Sequence, residues 1–141
     1  MSKLPGWEHF EHGADIGVRG VGCSLPEAFS QAALALTAVI TEPNAIEPNQ
    51  QVVINCQAPD NEILLTDWLN AIIYEMAVRK MLFSRFEVEI EDHQLQATIW
   101  GEPVLADKHK PVVEVKGATY TELQVKQDAN GIWIAQCIVD V

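Results

Sequence analysis

The stretch Glu11-His12-Gly13-Ala14-Asp15-Ile16-Gly17-Val18-Arg19-Gly20 places one acid, Asp15, at the head of a short β-branched run bracketed by glycines. Ile16 and Val18 alternate with Gly17 and Arg19, which predicts a strand from Asp15 to Arg19. The flanking glycines let another backbone approach closely. The counterpart of this strand lies at the other end of the chain, where Ile132 to Val139 runs into Asp140 and Val141. Ile132, Ile134 and Ile138 form one face of that run, and Trp133, Ala135, Cys137 and Val139 the other. A strand apolar on both faces belongs in the centre of a sheet. As neighbours, the two strands bring together Asp15, Asp140 and the carboxylate of Val141. Three oxygen anions in one place need a cation or a proton; a cation is expected.

The segments between these strands follow in order. Ser24 followed by Glu27 is a capping box, and Pro26 suits a first helical turn. The helix is predicted to run to about Ile40 or Thr41, with Leu25, Ala28, Phe29, Ala32, Leu36 and Val39 as its apolar stripe. Gln51 to Ala58 alternates as a strand. Asp60 caps a second helix that reaches Arg79 or Lys80, with Leu64, Trp68, Ile72 and Met76 spaced by four. Phe83 to Ile90 and Gln94 to Trp100 alternate on either side of Glu91-Asp92-His93 and form a hairpin. Leu105 to Pro111 is a polar loop, Val112 to Lys116 a strand or turn, and Thr119 to Gln127 a further strand before the Asn130-Gly131 turn. These elements predict one α+β domain over residues 1–141, with two layers: a single mixed or antiparallel sheet and two helices packed on it.

The chain has 141 residues, 48% hydrophobic and 21% charged, which is enough to bury a core and argues against disorder. Twenty acids against nine bases leave a formal charge of −11, a surface that repels phosphate backbones and suits a cation or a basic protein. Autonomous nucleic-acid binding is not expected. No apolar run approaches the length of about 20 residues needed to span a membrane, and the first residues have no signal-peptide core. Three scattered cysteines with no C-x-x-C suggest neither a disulfide framework nor a zinc knuckle, and point to the cytoplasm.

Asp15, Asp140 and Val141 supply only oxygens, which favours Ca²⁺ or Mg²⁺, with Zn²⁺ if His12 joins. The competing reading has Asp15 capping a turn and Asp140 solvated. His9 and His12 form an H-x-x-H without a third ligand at fixed spacing. Lys116 is either a partner or phosphate contact, or a surface charge paired with Glu114 or Glu122. No G-x-S-x-G, P-loop or G-x-G-x-x-G is present.

Five segments in order carry a resemblance: Phe10 to Val18, Leu64-Leu65-Thr66-Asp67-Trp68-Leu69-Asn70, Phe83-Ser84-Arg85-Phe86, Glu114 to Tyr120, and Trp133 to Val141. Together they resemble the archease family over nearly the whole chain. Gly13 stands where Thr is usual and Gly117 where Ala is; neither change removes a side chain assigned to the site. The resemblance implies a non-enzymatic protein cofactor of the GTP-dependent RNA-splicing ligase, which joins 2′,3′-cyclic-phosphate or 3′-phosphate ends to 5′-hydroxyl ends in tRNA splicing. Such a cofactor speeds guanylylation of the ligase and allows multiple turnover. By position, Asp15, Asp140 and Val141 (through main-chain oxygen) are implied as metal ligands for Ca²⁺, or alternatively Mg²⁺, Mn²⁺ or Zn²⁺. Lys116 is implied in activation of the partner, and His12 lies beside the site. A general chaperone without metal chemistry and a small metal-dependent hydrolase are the other two classes open to this sequence.

Overall fold

The computed structural model describes residues 5–141. Its elements follow as β1 (Gly6–His12), β2 (Asp15–Gly22), α1 (Leu25–Ile40), β3 (Gln50–Gln57), α2 (Asn61–Arg79), β4 (Met81–Glu91), β5 (Gln94–Pro103), α3 (Ala106–His109), β6 (Gly117–Ala118), β7 (Gln124–Gln127) and β8 (Trp133–Asp140). The α1 cap is reciprocal. Ser24 Oγ accepts from Glu27 N at 3.2 Å, and the Glu27 carboxylate accepts from Cys23 N at 2.7 Å. Asp60 Oδ1 accepts from Ile63 N at 2.8 Å to start α2, and Lys80 closes it in the left-handed region.

The α+β class and the two long helices stand as read, but the strands divide into two antiparallel sheets instead of one. The first runs β1-β2-β8-β6, with β7 also pairing with β8; the second runs β3-β5-β4. Alternation reveals which side chains turn inward, not which strand lies alongside. The second sheet is built locally. Asp92 and His93, both with positive φ, make the two-residue turn joining β4 to β5, and β3 adds to the far side of β5.

Both helices touch strands of both sheets: α1 lies against β1, β2, β8 and β4, while α2 reaches β3, β4 and β5 as well as β6, β7 and β8. This accounts for the breadth of burial on α1, where Ala33, Ala35 and Thr37 are fully buried beside the expected stripe. The residues before Asp15 form a strand that sequence pattern did not indicate, since Trp7, Glu8 and His9 of β1 are all exposed. Val112 to Lys116 is not a strand, and the strand expected over Thr119 to Gln127 contracts to β7.

Glycines set the distance between β2 and α1. A Cβ on Gly20 would lie 2.1 Å from Ala28 O and 2.3 Å from Ala32 N, both backbone atoms of α1. No rotamer change relieves that overlap. Gly20→Ala is therefore expected to destabilise the fold by about 3 kcal/mol or more, as overpacking against backbone does. A thermal melt followed by circular dichroism measures it.

Candidate metal centre and its surroundings

The register of the first sheet assembles the site. Pairing of β2 with β8 runs from Gly22↔Trp133 to Ile16↔Val139, so Asp15 and Asp140 lie one residue beyond the same end of the ladder. On the other side of β8, Gly117 pairs with Asp140, and Lys116 N donates to Asp140 O at 2.7 Å. His12 pairs with Asp15 across the two-residue turn Gly13-Ala14, where Gly13 has a φ of 61°. Asp15, Asp140, Val141, Lys116 and His12 thus gather at one end of one sheet. Strands distant in sequence bring them there.

Asp15 and Val141 are half-buried, whereas Asp140, Lys116 and His12 are exposed. Among the described residues, none of Asp15, Asp140 and Lys116 forms an ion pair, so Lys116 is not taken up by Glu114 or Glu122. Nor do three or more His, Cys, Asp or Glu side chains among those residues form a metal cage. The oxygen donors that the register brings to this sheet end are the side-chain carboxylates of Asp15 and Asp140 and the main chain of Val141. Such a set suits a hard cation that keeps water in its remaining positions. His9 and His12 do not act as a pair: residues three apart on a strand face opposite sides, and His9 Nε2 contacts Ala35 O at 2.8 Å.

Asn70 supports the site without having been singled out from sequence. Its Oδ1 accepts from Ala118 N at 2.9 Å and its Nδ2 donates to Ala118 O at 3.3 Å, so α2 holds β6 the way another strand would. Asn70, Tyr74 and Val78 follow one another at a spacing of four, all three on the exposed face of α2. A lone polar residue on that face gave no signal that it anchors a backbone. Asn70→Ala should cost only about 1 kcal/mol of stability, the net of exposed hydrogen bonds, while loosening Lys116 two residues away. Amide exchange at Gly117 and Ala118 checks the loosening.

The polar segment Leu105 to Pro111 holds a second polar cluster, around His109. Its imidazole is buried; Nδ1 accepts from Leu105 N at 2.9 Å, which leaves the proton on Nε2 to be donated to Glu102 at 2.9 Å. The same Glu102 oxygen accepts from Lys108 Nζ at 2.8 Å and Glu47 N at 2.9 Å, and Thr41 Oγ1 donates to His109 O. Hydrogen bonds from Lys108, then Glu47 N and then His109, hold the Glu102 carboxyl at about 2, against an ordinary 4.5. A lowered carboxylate pKa contributes stability that is complete above the unfolded value and lost as pH falls through the folded one. The acid loss of stability is therefore expected between pH 4.5 and about 2, and Glu102→Gln should flatten that part of the curve. Urea unfolding at stepped pH tests it.

Cys56 and Cys137 are poor nucleophiles. Burial pushes the Cys137 thiol up to about 12, and burial together with the charge of Asp67 pushes Cys56 to about 11. Among the described residues, no helix is long and apolar enough to cross a membrane.

These features define a small acidic α+β protein in which Asp15, Asp140 and Lys116 lie at one sheet end. The family model described as the Archease protein family (MTH1598/TM1083) matches residues 7–141. Curated relatives called "Protein archease" from Pyrococcus abyssi and Pyrococcus furiosus are each 37% identical over 139 residues, covering 96% of this chain and 98% of theirs. The chain belongs to the archease family. The solution structure of protein 1598 of Methanobacterium thermoautotrophicum superposes with a TM-score of 0.78 at 28% identity, covering 96% of this chain and 99% of that one. An archease of Thermotoga maritima, described as a possible chaperone, shares the fold with a TM-score of 0.60 at 20% identity over 94% of each chain.

Proposed function

We propose that this chain is a protein cofactor of a GTP-dependent RNA-splicing ligase, promoting guanylylation of the ligase and its multiple turnover in tRNA splicing. In this reading Asp15, Asp140 and the main chain of Val141 hold a divalent ion, with Ca²⁺ first and Mg²⁺, Mn²⁺ or Zn²⁺ as alternatives. The ion would supply charge compensation for a triphosphate at the interface with the ligase. The observation that carries the reading is the strand register that sets Asp15, Asp140 and Lys116 at one end of the sheet. Lys116 and His12 are the contacts offered to the partner. Membership of the archease family supports the same role.

The acidic charge of −11 favours a protein with a basic RNA-binding cleft over RNA itself. The chain acts on its partner's chemistry and carries no catalysis of its own. The test is ligation of a cyclic-phosphate RNA by limiting ligase with GTP and Mn²⁺, with and without this protein. Many turnovers only in its presence are expected; equal turnover in both reactions would sink the reading.

A second reading, a general chaperone, draws on one feature. Tyr74, Val78, Val112 and Tyr120 are all more than half exposed, and Ile73, Met76 and Ala77 face Val112, Val113 and Val115 across a groove of about 660 Å³. It predicts suppression of aggregation of unrelated proteins, insensitive to Asp15 and Asp140.

A further inference from the structure

The backbone edges of the two sheets are protected unequally. An open strand edge is a template for another strand, and proteins blunt such edges with charge, proline, bulges, brevity or a covering element. On the first sheet, β1 carries Glu8 and Glu11, while β6 and β7 span only two and four residues. On the second sheet, the outer strand β4 carries Arg85, Glu87, Glu89 and Glu91 and has an irregularity between Phe83 and Arg85. Its carbonyls are also used by α1: Ser30 Oγ donates to Phe86 O at 3.1 Å and Thr37 Oγ1 to Phe83 O at 2.8 Å.

The opposite edge, β3, has none of these devices. Its eight residues, Gln50-Gln51-Val52-Val53-Ile54-Asn55-Cys56-Gln57, contain no charge, proline or glycine, and its pairing with β5 is regular throughout. Ala58 N donates to His93 O, in register with the β3–β5 ladder. That parity turns the backbone of the even-numbered residues toward β5 and that of Gln51, Val53, Asn55 and Gln57 away from it. Among the described residues, no other hydrogen bond reaches those outward amides and carbonyls. Val53 is 54% exposed.

We propose that β3 is a self-association edge, on which a second copy of this chain adds its own β3 antiparallel to form a continuous six-stranded sheet. The occupant follows from charge and register. Each copy carries −11, and this strand adds no carboxylate to a contact between copies. In the two-fold register centred on Ile54, Val53 of one copy faces Asn55 of the other, Gln51 faces Gln57, and Val52 faces Cys56. Amides thereby meet amides or a methyl-bearing side chain outside, and apolar groups meet apolar groups inside. Beyond the strand, Pro48 falls opposite Asp60 and Glu47 opposite Asn61, so no like charges are opposed. The pairing lies in the second sheet and leaves the Asp15–Asp140 end of the first sheet free.

Sedimentation velocity of the full chain over a concentration series tests the proposal, with circular dichroism of each variant as the check on folding. The wild type is expected to dimerise reversibly, with amide protection at Gln51, Val53, Asn55 and Gln57 rising with concentration. Val53→Pro removes an amide that has no partner within one copy, so the fold is retained. It should weaken the dimer by about tenfold or more, because two intermolecular hydrogen bonds are lost and their carbonyl acceptors are left unpaired. Val53→Lys keeps the amide but adds repelling charges, and decides the matter if the proline variant misfolds. A wild type that stays monomeric throughout, or a dimer undiminished in the folded variants, overturns the proposal.

Discussion

Asp15→Ala is expected to reduce the ligase from many turnovers to its unassisted level while leaving the protein folded. Asp15 is half-buried at the exit of a two-residue turn and forms no ion pair among the described residues. Truncating such a side chain shifts stability by no more than about 0.5 kcal/mol. The proposed ion, by contrast, loses one of its two side-chain carboxylates. Loss of outer-shell groups alone lowers metal affinity by roughly 10–100-fold, so loss of a direct ligand should cost at least about 100-fold. Calorimetric titration with Ca²⁺, Mg²⁺ and Mn²⁺ measures that loss, and ligation by limiting ligase measures its consequence. Full stimulation by a folded Asp15→Ala variant would remove Asp15 from the mechanism. Retained metal binding with lost stimulation would instead make Asp15 a contact to the ligase.

Trp68→Ala carries the largest expected effect on stability. Trp68 is wholly buried where α1, α2 and β4 meet. Its Nε1 donates to Phe29 O at 3.0 Å, and its ring meets that of Phe86 edge-on at 6.2 Å and 84°. Removing the indole opens a cavity between elements that touch both sheets, for which about 3–5 kcal/mol is the usual loss. Against a total of about 5–15 kcal/mol, that is a large share. Urea unfolding should show a lower midpoint at unchanged slope, and Trp68→Phe should recover part of it. A shift below about 1 kcal/mol, in the range of surface changes, would mean that the core at Trp68 collapses around the gap.

The helices were legible because their information is local. Ser24 with Glu27, and Asp60 ahead of Ile63, mark starts that the structure reproduces to the residue, and Thr41 and Lys80 mark the ends. The β4–β5 hairpin was legible for the same reason, its turn being two residues long. The burial of His109 was not legible because its surroundings come from elsewhere: Glu102, Glu47 and Thr41 turn a polar segment into a buried network. Asn70 was missed because its partner, Ala118, is 48 residues away and supplies only backbone.

The pattern of residues by itself determined the α+β class, the span of both long helices and the central place of the last strand, since periodicity and capping act within a few residues. It also singled out Asp15, Asp140 and Val141 as a candidate set, to which only the family resemblance joined Lys116. Tertiary structure alone decided that the strands form two sheets, that Gly20 lets β2 touch the α1 backbone, and that Asp15 and Asp140 share one sheet end. Those outcomes depend on which distant strand pairs with which, and alternation along a single strand looks the same whatever neighbour it finds.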